Sequence, residues 1–231
     1  MTTALHLRRA DARADHPLTR TPAVVTLWVT AGVLILLGLS WPLAAGGVGA
    51  RSTPWLPVTA VSILGGCAAL GWLRPASVGP TAPQLMLLLG AAGMVGGLWL
   101  DTRAGGFAAA TALCLSNSPD LPATLWVHWR QLPMMHIGMI AGGLATGPLL
   151  HSLRRGCRRQ FCARLAQNLV CSGWMSIGMA AGSLVFMHLA VQVDERAPTA
   201  MLGGMFGGMV WGMVASVSLY RVWVRGSARH G

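Results

Sequence analysis

The chain has no lysine, one tyrosine and only six acidic residues among its 231. Charged residues make up 10% of it and hydrophobic residues 54%, whereas a soluble domain carries roughly 25% charge. So few polar groups cannot clothe a water-facing surface, and lipid removes that need. A water-soluble fold is therefore excluded. The six acids are Asp11, Asp15, Asp101, Asp120, Asp194 and Glu195. None falls inside an apolar run, so the mid-depth carboxylate common in proton-coupled carriers is missing. Paired carboxylates for acid–base work are missing too. So are the P-loop, HExxH and GxSxG patterns. These gaps point away from an enzyme.

Cysteine is sparse, and its placement is uninformative. Cys67, Cys114 and Cys171 lie in or beside apolar stretches, and Cys157 and Cys162 lie in a basic loop. No CxxC occurs, so a cysteine zinc site is not expected and reduced thiols are.

What the chain does have is long apolar runs. At about 20 residues per crossing, six spans are expected: Ala23 to Leu43, Trp55 to Leu73, Gln84 to Leu100, Gln131 to Leu150, Ala166 to Val193, and Thr199 to Val222. The first reads as an uncleaved helix, because no small-residue cleavage site follows at the right distance. Trp28 and Trp41 near its ends fit interfacial belts. Residues 104–118 are apolar for only about a dozen positions before the sequence SNSPDLP breaks them. They read as a re-entrant or interfacial segment. TLWVHWR, with Trp126 and Trp129, reads as an interfacial anchor. The fold class is thus an all-α integral membrane protein. A basic arm occupies 1–21, a helical bundle 22–224 and a short tail 225–231.

All 17 basic residues are arginine. They cluster in the arm, in the loop HSLRRGCRRQFCAR and in the tail, which the positive-inside bias places in the cytoplasm. Six crossings satisfy all three placements, and seven would not. An inner (plasma) membrane location with both termini cytoplasmic follows. Arginines in short inter-span stretches are orientation signals rather than a nucleic-acid surface.

A short pattern recurs in the last four spans: Gly93-Met94-Val95-Gly96-Gly97, Gly138-Met139-Ile140-Ala141-Gly142, Gly178-Met179-Ala180-Ala181-Gly182, and twice within 204–212. Glycines four apart share one helix face and let backbones approach closely in lipid. This GMxxG repeat predicts a tight bundle. It also suits packing against partner membrane subunits or a second copy.

Methionine is abundant, with 13 residues, several of them spaced by four. In the expected topology Met135, His136, Met139, Met187, His188, Met201 and Met205 reach the same outer depth on three spans. Thioether and imidazole are ligands that suit copper(I), so these seven form a candidate metal site. Methionine is also a flexible filler beside glycine notches, and core packing is the competing reading. The MxxxM and GxxxG pairing resembles the signature of the eukaryotic-type copper transporters. The resemblance is confined to those motifs. That family has three spans and a Met-rich outer arm, whereas here there are about six spans and an arginine arm. A b-type haem between His136 and His188 would need a flat cavity that close glycine faces disfavour. Three readings of function follow. The first is a non-enzymatic subunit or assembly factor of a membrane complex. The others are a copper-handling protein and a component of a small-solute transporter.

Overall fold

A computed structural model describes residues 22–45, 54–73, 80–116, 120–154, 161–192 and 197–227. Every element among them is helical. They are α1 (Pro22–Ala45), α2 (Trp55–Leu73), α3 (Ala82–Arg103), α4 (Gly106–Ser116), α5 (Leu121–Gln131), α6 (Pro133–Arg154), α7 (Phe161–Gln192) and α8 (Ala197–Ser227). The arm at 1–21, Cys157 and the last four residues lie outside the described residues.

Five helices, α1, α2, α3, α7 and α8, are long and apolar enough to cross a membrane. The chain is a multi-pass membrane protein. The sixth expected crossing corresponds to α6, which is as long as α3 at 22 residues. His136, Thr146, Pro148 and four glycines dilute its apolarity. It nevertheless runs antiparallel along α3. Gly97 meets Met134 and Met135, Gly93 meets Gly138, and Leu89 meets Gly142. The 104–118 segment and the tryptophan anchor become two short helices, α4 and α5, of 11 residues each. Neither can span about 30 Å of hydrocarbon at 1.5 Å per residue.

The expected boundary of the fourth span at Gln131 moves to Pro133. Gln131 closes α5, and Leu132 leaves helical geometry at φ −126°, ψ 51°. Pro133 then opens α6, where its missing N–H costs nothing. Trp28 is exposed as a belt residue should be, but Trp41 is buried in the core.

The GMxxG glycines are consumed in two antiparallel pairs. In the α3–α6 pair, Gly93 and Gly138 stand back to back. In the α7–α8 pair, Gly178 faces Gly208 and Gly212, and Gly182 faces Gly204 and Gly208. A Cβ at any of these positions would fall on the neighbouring backbone. In lipid such contact replaces the hydrophobic drive that soluble helices use.

The helix at the centre is α8. Of its most apolar window 83% is buried, against 28–44% for the other four spans. It packs on α7 along the glycine seam. It meets α2 where Gly66 takes Val210 and where Gly203 and Gly207 take Thr59 and Ser62. Eleven of the 13 methionines join one core: Met86, Met94, Met135, Met139, Met175, Met179, Met187, Met201, Met205, Met209 and Met213. Met175 and Met139 both lie over Gly90 of α3, which is gap-filling of the kind flexible thioethers perform.

Candidate functional site

The most polar part of the buried interior lies at the end of the bundle closed by α4 and α5. It begins with Asp101, the one acid of α3. Asp101 is 5% exposed, and its carboxylate accepts hydrogen bonds from the backbone N–H of Met134 (3.3 Å) and of Met135 (2.8 Å). Those amides belong to the first turn of α6 and have no partner within their own helix. Asp101 is therefore a cap supplied from another helix, and its charge sits at the positive end of the α6 dipole. This cap fixes where α6 starts and so where His136 stands, one turn further on.

His136 is fully buried. Its Nδ1 lies 3.0 Å from the carbonyl oxygen of Leu132. A carbonyl can only accept, so Nδ1 carries the proton and Nε2 keeps a bare lone pair. That Nε2 is buried without a hydrogen-bond partner. The ring stacks on Trp129 of α5, with centroids 4.6 Å apart and planes at 28°.

His128, on α5, is also fully buried. Its Nε2 lies 3.4 Å from the Ser183 hydroxyl of α7. Ser183 gives its one proton to the Ala180 carbonyl at 2.9 Å, so His128 Nε2–H is the donor toward Ser183. Nδ1 is then the bare nitrogen, and it too is buried and unpartnered. Burial, reinforced by the neighbouring His136 ring, pushes His128 down from 6.5 to about 3, and the imidazole stays neutral. The two rings lie 6.3 Å apart, centroid to centroid, at 52°.

Around this pair α4 and α8 complete the layer. Thr111 of α4 bonds the Phe107 carbonyl at 2.9 Å and approaches the Met201 sulfur at 3.4 Å. Gly204 of α8 packs on the Ser183 backbone, and Met201 and Met205, within one turn of it on α8, are fully buried. Thr124, one turn before His128, is buried with its hydroxyl unpartnered.

The seven residues expected to share this depth divide. Met135, His136, Met139, Met201 and Met205 are fully buried, and Met187 nearly so at 6% exposure. His188 is exposed and pairs with Gln192 at 3.1 Å on the outer face of α7. It does not enter the interior, which also removes the His136–His188 haem pairing. On α7, residue 188 is adjacent to buried Met187 but rotated by a helical step of about 100° onto the lipid-facing side. Met134 is likewise exposed beside buried Met135.

His128 lies within TLWVHWR, which reads from the sequence as an interfacial anchor, and is not among the seven candidate ligands. Its signal was present in LPATLWVHWRQ. Thr124 and His128, four apart, face inward, while Trp126 faces out and Trp129 lies at the edge with its ring stacked on His136. In lipid an amphipathic helix turns its polar stripe to the protein. Among the described residues no three His, Cys, Asp or Glu side chains stand close enough to share a metal ion.

Comparison with known proteins returns nothing similar: no family model, no curated protein and no solved structure matches this chain.

Proposed function

We propose that this chain is a non-enzymatic subunit or assembly factor of a membrane complex, seated in the inner membrane with both termini cytoplasmic. The observation that supports the reading is a groove of about 340 Å³ on the lipid-facing side of α7 and α8. Gly178, Gly182, Gly207, Gly208, Ala181 and Ala215 line it, and Trp174, Phe186 and Trp211 wall it. On α7 the groove runs from Trp174 to Phe186, about 18 Å along the axis. Small side chains along a groove of that length are what a neighbouring transmembrane helix requires for close approach. The occupant on this reading is one helix of a partner subunit. Gly178, Gly182 and Gly208 line the groove from the open edge of the α7–α8 seam, where the two backbones already meet each other, so the surface left for a partner is that outer edge; the α3–α6 seam does not contribute.

The test is site-specific photocrosslinking in cells. A photoreactive residue at Ala181 should give a discrete protein adduct, and one at Leu39, exposed on α1, should not. Ala181→Phe, which fills the groove, should remove an adduct formed from Ala215. Adducts with lipid alone, or equal adducts from Leu39, would end this reading.

A further inference from the structure

Two buried imidazoles with bare nitrogens are costly where they stand. A buried polar atom without a partner loses its hydration and gains nothing in return, about 1–3 kcal/mol for each. One such atom is unremarkable in a native interior, but two on neighbouring rings 6.3 Å apart, centroid to centroid, suit a shared ligand. The layer supplies neutral nitrogen and neutral sulfur, and Asp101 is already engaged by two backbone amides.

We propose that His128 and His136 form a binding site for one soft monovalent metal ion of the copper(I) class, with a thioether from Met201 or Met205 as third ligand. Three properties of the arrangement support the choice. The first is the tautomers. The Leu132 carbonyl fixes the proton of His136 on Nδ1 and frees Nε2. Ser183, committed to Ala180, fixes the proton of His128 on Nε2 and frees Nδ1. Backbone carbonyls and hydroxyls that hold the second ring nitrogen are how proteins orient metal-binding histidines.

The second is spacing. Two imidazoles sharing one ion through bonds of about 2.0 Å hold their centroids about 6 Å apart when nearly linear, and these stand 6.3 Å apart. Two-coordinate or trigonal sites of this sort suit a soft d¹⁰ ion.

The third is charge. Among the described residues the one carboxylate of the layer, Asp101, is held by two backbone amides and no thiolate joins it, so the ligand set is neutral. A single positive charge costs far less to bury than a double one, and soft sulfur selects against hard divalent ions. The site is independent of the α7–α8 groove, and neither proposal stands or falls with the other.

The experiment is an anaerobic titration of the purified full chain in detergent with copper(I) against a chromophoric copper(I) chelator. Silver(I) serves as a redox-inert second probe. The expected result is one equivalent bound per chain. His128→Leu and His136→Leu should each weaken binding by at least about 100-fold. His188→Ala should bind like the parent, because that ring is outside the interior. Ser183→Ala, which removes only the group orienting His128, should weaken binding about 10-fold while leaving the fold intact. X-ray absorption of the copper(I) form of the parent should give a mixed nitrogen and sulfur shell. No binding by the parent protein would overturn the proposal. So would equal affinity in the His136→Leu and Ser183→Ala variants, or a shell without nitrogen. The spectroscopy needs only the parent protein, so a variant that fails to fold does not rescue the idea.

Discussion

Gly93 of α3 and Gly138 of α6 stand back to back, each with the other's carbonyl oxygen in the place its own Cβ would take. The obstacle is backbone on both sides, so no rotamer change can relieve it. Gly93→Ala and Gly138→Ala should each cost at the upper end of the 1–3 kcal/mol typical of overpacking, about 3 kcal/mol. Gly96, three residues along the same helix, faces open space. There the added methyl meets nothing and the helix gains backbone stiffness, so Gly96→Ala should stabilise by about 0.5–1 kcal/mol. Thermal unfolding of the three variants in one detergent decides the matter. Equal shifts in all three would mean the seam is not as close as described.

Asp101 makes a second prediction. Its carboxylate is the only partner described for the first-turn amides of Met134 and Met135. Asp101→Ala should destabilise the protein by about 1–2 kcal/mol, the usual worth of a lost cap. Asp101→Asn keeps one accepting oxygen and should recover part of that. Hydrogen exchange localises the effect: protection should fall at Met134 and Met135 and hold at the Gly138 level. Uniform loss of protection would mark Asp101 as a general fold determinant rather than a cap.

The sequence carries the helices more plainly than it carries the site. Trp55 to Leu73 is delimited by composition alone, because Pro54 and Arg74 bound an unbroken apolar run. The glycine seams were legible as well, since four-residue spacing fixes a helix face whatever the partner is. What spacing cannot give is which face turns inward. His188 and Met187 share a depth, yet one step of rotation separates lipid from core. His128 went the other way. It sits on a short helix flanked by exposed tryptophans, and only the inverted amphipathicity of a lipid-facing helix reveals that it is interior. Asp101 was visible as a span end, but its partners are 33 and 34 residues away in sequence. A cap supplied across such a gap has no local signature.

The orientation supports a third prediction. In the proposed orientation, which rests on the positive-inside bias, the loop before α7 is cytoplasmic and the turn before α5 lies on the opposite side. In a chain whose only cysteine is Cys157, a membrane-impermeant maleimide should label only after the membrane is opened. In a cysteine-free chain carrying Asp120→Cys, at the exposed N-cap of α5, the same reagent should label intact cells. Labelling of both from the same side would remove either the α6 crossing or the α4–α5 hairpin from the topology.

Gln84 gives the last prediction, because it does two jobs with one amide. Its carbonyl oxygen accepts from the Thr81 backbone N–H at 3.0 Å and from the Thr81 hydroxyl at 2.9 Å, which closes the start of α3. Its nitrogen donates to the Thr26 hydroxyl at 3.2 Å, which ties α3 to α1. The side chain is 2% exposed, so neither half can turn to water. Gln84→Leu fills the space and removes both functions. It should cost about 2 kcal/mol, the sum of a cap near 1 and an interhelical bond near 0.6 with some loss of fit. Thr26→Val removes the tether and leaves the α3 cap in place, and it should cost at least about 0.6 kcal/mol. In the double variant the tether can be lost only once, so the two costs should fall short of adding by that same 0.6. Strict additivity in unfolding measurements would mean that Gln84 caps α3 but does not hold α1.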